Sequence, residues 1–492
     1  MKINIIILFS FVSIISNAQN TGISNNWLLG YDSEWGSPFG MNRINFITGS
    51  PQISYDSIDM EFSHTHANIS DSAGNILFYT NGFYISDATD DTMMNGTGIN
   101  PGQYADDYAE YGALIPQGAL IIPKPNSNHL YYMFHNTLDN YPSIGSYSFY
   151  FYLTTIDMNA NGGLGAIISK NQILISDSMN TGKISTCRHA NGRDWWITVH
   201  RVNTNMYYKL LVTPDSIITY TQNIGSIREW DAGQTKFSLD GKRFAYFHYR
   251  FTGLDVFDFD RCTGDFSNWR NDSLPLEIGN VGVEFSPNSN VLYVCNIDTV
   301  YQYDLTVNNL SATRNIVAVY DGFGGGLGTY LCYPQLAPDG KIYITTGNSS
   351  NYMHVINKPD SIGLACDFVQ HGVSLPALYF NTLPNPPNFF LGADTNSVCD
   401  SLPHVSIAEN KVEAIPKVFP NPTNGKFTLW FNVHDRLGLV QVYDVNGNLV
   451  LQESVAQWSQ YKQVDISKHA SGIYFVKMSW GNKTASVKVI KE

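Results

Sequence analysis

The chain has 492 residues, 43% of them hydrophobic and only 14% charged, with 30 Tyr and 27 Phe. An average globular protein carries roughly 25% charged residues, so a disordered acidic chain, a coiled coil and a charged helical repeat are excluded, while the aromatic load suits pleated sheets. The net charge of −13 argues against a nucleic-acid partner, whose phosphates need a basic footprint.

Met1-Lys2 precedes an apolar run from Ile3 to Ile15, followed by Ser16-Asn17-Ala18. One positive charge, a short apolar segment and small residues three and one positions before the cut predict a secretory signal over 1–18, cleaved between Ala18 and Gln19. The run is too short to span about 30 Å of hydrocarbon. No later segment is apolar for long enough either, so no transmembrane segment is expected in the mature chain.

From 19 to 400 the sequence repeats loosely. Lys236-Phe-Ser-Leu-Asp-Gly-Lys-Arg-Phe-Ala-Tyr-Phe, Glu284-Phe-Ser-Pro-Asn-Ser-Asn-Val-Leu-Tyr-Val and Gln335-Leu-Ala-Pro-Asp-Gly-Lys-Ile-Tyr-Ile are the clearest copies. Weaker ones begin at Ile69, Pro123 and His189. Each reads as an inner strand, a polar turn and an aromatic-rich strand, with a further strand after it. The equivalent turn positions Gly74, Ser127, Gly192, Gly241, Ser289 and Gly340 are 48 to 65 residues apart. A strand-built period near 50 is that of a β-propeller with one four-stranded blade per copy. The length of the region favours seven blades over six, with an array of β-sandwiches as the other reading. The seventh blade is expected to be composite, combining Trp27-Leu-Leu-Gly and 42–53 with Asn388-Phe-Phe-Leu-Gly, because pairing the two ends removes exposed sheet edges.

Aligned copies place Lys236, Glu284 and Gln335 in one column of the channel lining, where mixed polar groups suit solvent or a small polar ligand. Glu61-Phe-Ser-His64-Thr-His66 resembles the start of a strand-borne metal site but needs a third ligand, and His189 and His200 are candidates to converge on the channel. The bland reading makes all four structural. Asp157-Met-Asn-Ala-Asn-Gly-Gly has the first half of a calcium loop, yet its twelfth position is Ile168 rather than a bidentate Glu, so a turn between strands is favoured. Each Gly-Lys lacks the Ser/Thr of a phosphate loop, and Asp321 to Gly328 is a glycine-rich connection without a following helix. Trp35, Trp195, Trp230 and Trp269 are of a type to stack on sugars or to pack between blades. Nine Asp-Ser/Thr-apolar triplets, from Asp56 to Asp400, are similar to a Bacteroidetes O-glycosylation acceptor and equally suit hairpin turns. Six cysteines precede residue 400; in an exported chain some pair, and Cys366 with Cys399 is the pairing expected here. No catalytic, cofactor-binding or metal-ligating set is assigned, and no cofactor.

A polar, proline-bounded stretch, 401–416, reads as a linker. Residues 411–492 carry 10 Lys+Arg against 6 Asp+Glu, whereas 19–410 carry 18 against 36, a step that marks a second domain. Its turns and alternating strands predict a small β-sandwich over 417–492. Val418-Phe-Pro420-Asn421-Pro422-Thr-Asn-Gly425-Lys-Phe, Val442-Tyr443-Asp444-Val-Asn-Gly447, Ala470-Ser-Gly472-Ile-Tyr474-Phe-Val-Lys and Val487-Lys488-Val-Ile-Lys resemble the type A C-terminal sorting domain of type IX secretion substrates of the Bacteroidetes. The resemblance implies export through the periplasm, passage across the outer membrane by the type IX machinery, and a secreted or surface location. An N-terminal Gln19 after cleavage fits such substrates. Asp71-Ser-Ala-Gly-Asn-Ile-Leu-Phe-Tyr, Gln117-Gly-Ala-Leu-Ile-Ile-Pro and Gly282-Val-Glu-Phe-Ser-Pro are similar to a family of uncharacterised exported Bacteroidetes propellers, which implies a fold and no activity.

The expected function is a cell-surface or extracellular binding or scaffold role, with a glycan or small polar ligand as partner. The alternative is a secreted glycan-active hydrolase or lyase using carboxylates such as Asp231 or Glu284. Deleting 411–492 is expected to strand the propeller in the periplasm; surface delivery of that truncation at the full-length level, measured by fractionation and immunoblotting, would refute the reading of the tail.

Overall fold

The computed structural model describes residues 22–141, 145–231, 233–248, 253–275, 281–324, 327–400, 416–431, 437–456, 459, 461–480 and 483–492. Cα packing divides the chain into two compact units, 1–400 and 401–492. Ala18 and Gln19 lie outside the described residues.

The first unit is a seven-bladed propeller. Blade 1 is β1 (Asn26–Gly30), β2 (Met41–Asn45) and β3 (Gln52–Asp56); blade 2 is β4 (Ala67–Ser70), β5 (Ile76–Thr80) and β6 (Ile85–Asp87). Blade 3 runs β7 (Ala119–Pro123), β8 (Leu130–Asn136), β10 (Gly145–Asp157) and β11 (Ala166–Met179), with the short β9 (Asp139–Tyr141) paired to the start of β10. Blade 4 is β12 (Ser185–Arg188), β13 (Trp195–His200), β14 (Thr204–Val212) and β15 (Ile217–Arg228). Blade 5 is β16 (Thr235–Phe237), β17 (Arg243–His248), β18 (Gly253–Phe259) and β19 (Phe266–Ser273). Blade 6 is β20 (Val281–Phe285), β21 (Val291–Asn296), β22 (Thr299–Asp304) and β23 (Asn315–Val319). Blade 7 is β24 (Pro334–Leu336), β25 (Ile342–Ile344), β26 (Ser350–Ile356) and β27 (Phe368–Tyr379). The strands pair antiparallel with their neighbours in sequence, the meander expected of a blade. A short helix, α1 (Gln103–Tyr108), sits in the connection from blade 2 to blade 3.

The six repeat turns read from the sequence all fall between the first and second strands of blades 2 to 7. Gly241 and Ser289 show what the turn demands, with φ of +70° and +62°, a region that costs a β-carbon and favours glycine.

Adjacent blades meet through apolar clusters. Leu28, Met41, Phe62 and Tyr79 lie between blades 1 and 2, and Trp196, Tyr207, Phe244 and Phe257 between blades 4 and 5. The ring closes where Trp27, Leu29, Ile44 and Phe46 of blade 1 pack on Tyr343, Met353, Val355 and Tyr379 of blade 7.

That closure corrects the expectation of a composite blade. Residues 388–392 form no strand, and blades 1 and 7 are each built from one continuous segment. A buried side chain does the pairing instead: Asn42 Nδ2 donates to the Ala377 carbonyl (3.1 Å) and to the Leu29 carbonyl (2.8 Å), and Ala377 N–H donates to Asn42 Oδ1 (2.9 Å). After β27 the chain crosses the ring. Asn385 N–H donates to the His66 carbonyl (3.2 Å), Asn388 Nδ2 to the Leu239 carbonyl (2.7 Å), and Asp394 N–H to the Ala190 carbonyl (2.8 Å). Cys399 thereby reaches the turn between β18 and β19 and is disulfide-bonded to Cys262, with Cα atoms 5.5 Å apart. The expected Cys366–Cys399 pair does not form, because the segment leaves blade 7 altogether; Cys366 is a buried free thiol.

The C-terminal unit is a β-sandwich. One sheet orders β28 (Lys417–Phe419), β29 (Lys426–Trp430) and β32 (Tyr461–Asp465). The other orders β31 (Leu449–Val455), β30 (Gly438–Asp444), β33 (Gly472–Trp480) and β34 (Lys483–Lys491), and the two enclose Leu429, Val440, Val476 and Met478.

Asn42→Ala leaves Ala377 N–H and C=O buried and unpaired, at about 1–3 kcal/mol each. Urea unfolding is expected to show a loss of about 2–6 kcal/mol. A variant within about 0.5 kcal/mol of wild type would show that the seam does not depend on this amide.

Candidate functional site

The inner strands of blades 5, 6 and 7 bring Lys236, Glu284 and Gln335 together. Lys236 Nζ lies 3.2 Å from Glu284 Oε2 and donates to Gln335 Oε1. Glu284 Oε1 accepts from its neighbour Phe285 N–H (2.9 Å), and Oε2 from Leu336 N–H on the next blade (3.0 Å). All three side chains are nearly buried. The cluster therefore ties three blades together, and its one positive and one negative charge cancel.

Beside it, Gln117 and Asn385 complete a polar belt. Gln117 Nε2 donates to the Thr235 carbonyl (2.9 Å) and to Asn385 Oδ1 (3.2 Å), and its Oε1 accepts from Thr235 N–H (2.9 Å). Asn385 Nδ2 donates to the carbonyls of Ile184 (2.9 Å) and Ala119 (3.3 Å), so the crossing segment bonds to blade 3 and to the start of blade 4.

Above this belt lies a cavity of about 500 Å³, bounded by the first turns of blades 5 to 7 and by residues 385–391 as one wall. Trp27, Phe285, Leu336 and Leu391 make much of its surface apolar, and Leu239 and Phe390, 40% and 45% exposed, stand at its edge. Cys187 is on the wall too, but burial pushes its thiol up to about 12, so it is not a thiolate nucleophile near neutrality. The sequence points to Lys236, Glu284 and Gln335 but not to Trp27, Gln117 or Asn385. The last two show no local signal, since their roles arise only when the tail crosses the ring.

The remaining candidates lie elsewhere. Asp231 is fully buried, paired with Lys183 Nζ at 2.8 Å and accepting from the Tyr246 hydroxyl at 3.2 Å, and it is not on the cavity wall. His200 packs between Tyr207 and Tyr246 with Nδ1 3.2 Å from Asn180 Nδ2, and His189 Nε2 meets the Cys262 carbonyl (3.0 Å), so neither converges on the channel. Glu61, His64 and His66 fall on the connection before β4 rather than on a strand. His66 packs against Phe62, ring centroids 4.4 Å apart and tilted by 45°, with both nitrogens unpartnered among the described residues, and burial lowers it to about 3. Burial, then the nearby Asp32, raises Glu61 to about 7. Among the described residues no group of three His, Cys, Asp or Glu is placed to hold a metal. Asp157 ends β10, and its Oδ1 accepts from Asn159 N–H (2.9 Å) within a hairpin turn. Trp195 is buried under the Arg188 guanidinium, and Trp230 Nε1 donates to Thr181 Oγ1 (2.9 Å).

In the C-terminal unit, Asn421 Nδ2 donates to the Lys488 carbonyl (2.9 Å) and Asn421 Oδ1 accepts from Ile490 N–H (2.8 Å), which clamps the last strand. Pro420 and Pro422 flank this clamp, and a β-carbon on Gly425 would meet Ser467 Cα at 2.6 Å. Asp444 Oδ1 accepts from Asn446 and Asn448 N–H groups around Gly447, and the Tyr474 hydroxyl donates to the Ala470 carbonyl (2.6 Å). Tyr443 lies on β30 opposite Phe475, and Gly472 opens β33.

Residues 417–492 match the family model of the secretion system C-terminal sorting domain. The C-terminal unit is a type IX sorting domain. It marks the chain for export to the cell surface or the extracellular space. No helix among the described residues is long and apolar enough to cross a membrane. No curated protein matches the chain. Solved structures similar to it include a protein from Lactobacillus plantarum (11% identity, 73% of this chain and 99% of that one, TM-score 0.44). Others are a putative 6-phosphogluconolactonase from Bacteroides fragilis (13%, 74% and 97%, 0.43) and the periplasmic gluconolactonase of Pseudomonas aeruginosa (13%, 73% and 98%, 0.39). Likeness this weak decides nothing about activity, and the propeller is read from its own sheets.

Because His66 is held neutral in the fold, the unfolded chain takes up its proton first as pH falls below about 6.5, and stability is lost from there toward pH 3. Glu61 acts in the opposite sense, so the two are separated by substitution. His66→Phe is expected to shrink the loss of unfolding free energy between pH 7 and 5 by up to about 2 kcal/mol in urea titrations. An unchanged loss would show that His66 does not contribute.

Proposed function

We propose that the chain is an exported binding protein whose propeller cavity, not a catalytic centre, is the working site. One observation carries this. The charged pair on the cavity wall is already committed, Lys236 to Glu284 and Gln335, and Glu284 to two backbone N–H groups on adjacent blades. A general acid or base must meet its substrate proton at hydrogen-bond distance. Among the described residues Glu284 is the only carboxylate on the wall, and its oxygens are occupied in holding the ring. The glycan-hydrolase alternative needs a second carboxyl about 5–10 Å away across the substrate; Asp231 is instead enclosed with Lys183 away from the cavity.

The sorting domain supports the location of this activity, outside the cell or on its surface. Binding rather than turnover also fits the apolar share of the cavity wall and its volume, which lies within the roughly 300–1,000 Å³ common for small-molecule sites. The purified mature protein, incubated with a panel of polysaccharides and aryl glycosides, is expected to release no reducing ends or aryl leaving group. Turnover that disappears in Glu284→Gln would overturn the binding reading.

A further inference from the structure

We infer that the cavity takes a small uncharged amphiphile, whose polar end both donates and accepts hydrogen bonds at the floor made by Lys236, Glu284 and Gln335, and whose apolar end lies against the rim. This rests on the reading of the cavity as a binding site and names its ligand class. Floor and rim come from the same strands. Lys236, Glu284 and Gln335 hold equivalent positions on the inner strands of blades 5, 6 and 7, and three residues further on stand Leu239, Pro287 and Pro338, which also line the cavity. At about 3.3 Å of rise per residue the two sets are up to about 10 Å apart in depth. Phe390 and Leu391 of the crossing segment join the apolar set, and the exposed Leu239 and Phe390 mark the mouth.

The floor is paired within itself and still has capacity. Lys236 and Glu284 keep 10% and 5% of their side-chain surface, and both border the cavity. An ammonium has three N–H donors, of which Lys236 uses two, on Glu284 and Gln335. The Gln335 amide has two, and one goes to the Leu336 carbonyl (3.1 Å). Glu284 accepts from Lys236, Phe285 N–H and Leu336 N–H, which fills three of its roughly four lone-pair places. Donors and an acceptor thus remain side by side, the complement of a primary amide or a hydroxyl. A charged head gains less, because each floor charge already has its opposite, and taking one leaves the other buried and unpaired. An oligosaccharide carries hydroxyls along its whole length, and the rest of the wall does not match them. Pro287, Pro338, Pro386 and Pro387 have no N–H to give. Of the polar side chains above the floor, Thr186 Oγ1 already donates to the Trp196 carbonyl (2.8 Å), Ser238 Oγ to Asp240 Oδ1 (2.6 Å) and Asn388 Nδ2 to the Leu239 carbonyl (2.7 Å).

The test uses the purified mature full-length chain and three naphthalenes followed by their own fluorescence. The head of 2-naphthamide gives and takes hydrogen bonds, that of 2-methylnaphthalene does neither, and 2-naphthoate is an anion. Both uncharged compounds are expected to bind saturably, and the anion about tenfold or more weaker than the amide. Gln335→Met keeps the length of the side chain and leaves Lys236 with Glu284; it is expected to weaken 2-naphthamide about three- to tenfold and to change 2-methylnaphthalene less than about twofold. Phe390→Ser, at the exposed mouth, is expected to weaken both about threefold or more. Thermal unfolding of each variant reports whether it has folded, and the comparison of the three compounds on the unaltered chain does not depend on either substitution. Absence of saturable 2-naphthamide binding, tighter binding of 2-naphthoate, equal change of both uncharged compounds in folded Gln335→Met, no change of either in Phe390→Ser, or displacement of 2-naphthamide by cellohexaose would overturn the inference. Failure of the naphthalenes without glycan turnover removes this ligand class alone, whereas turnover that disappears in Glu284→Gln removes the binding reading itself.

Discussion

A ring of sheets holds together only if its last blade stays against its first, and here that contact is made mainly by side chains, with one backbone bond from Leu378 N–H to the Pro38 carbonyl (2.9 Å). The usual liability of such a seam is that two blades, each complete in itself, can part without breaking a strand ladder. Blade 1 and blade 7 share the Trp27–Phe46–Tyr343 aromatic contact and the apolar packing around it, and Asn42 supplies at the seam the backbone-like hydrogen bonds that a shared strand would have made. Tyr31 of blade 1 also hydrogen-bonds Ser349 of blade 7. The crossing tail is the second fastening. It runs from blade 7 to blade 5 and is fixed there by the Cys262–Cys399 bridge, which spans 137 residues and encloses blades 6 and 7. In the chain-entropy picture a loop of that length is worth up to about 5 kcal/mol.

The same tail decides what the channel is. An open channel bearing Lys236, Glu284 and Gln335 on its wall would be a water-filled pore. Asn385 instead caps the carbonyls of Ala119 and Ile184 and meets Gln117, so these polar groups near the axis are satisfied within the protein. What is left is the region on the side of the first turns, where Pro386, Pro387, Phe390 and Leu391 face Phe285, Leu336 and Pro338 across the cavity. Ring closure and cavity chemistry thus share a cause: the segment that fastens the blades also supplies one wall of the pocket, with Pro386, Pro387, Phe390 and Leu391. Trp27 belongs to both, since its ring packs in the seam and it is one of the residues lining the cavity.

The sorting domain is independent of all this. Its motif residues act over short distances. Asn421 clamps β34, Asp444 organises the turn at Gly447, and the Tyr474 hydroxyl ties the start of β33 to Ala470. Such roles are set by a few neighbouring residues, which is why they leave a recognisable text. Export is accordingly legible from the last 76 residues, 417–492, while the propeller's ligand is not.

Legibility in the propeller follows the same physical line. The innermost hairpin of blades 2 to 7 repeats because each needs a tight turn with a residue at or near positive φ, as at Gly74, Gly192, Gly241, Ser289 and Gly340. Blade 1 escapes the pattern because residues 31–40, a ten-residue loop, replace that turn between β1 and β2. With the turn missing, Trp27 and 42–53 read as fragments in want of a partner, and the tail reads as the missing strand. The column of Lys236, Glu284 and Gln335 is readable because equivalent positions in a repeat become neighbours around an axis. Gln117 precedes its inner strand, and Asn385 lies outside the repeat altogether, so no periodicity marks them; their contact is long-range, across 268 residues. What a repeat encodes is the wall common to every blade, and a site acquires its chemistry where that repetition is broken.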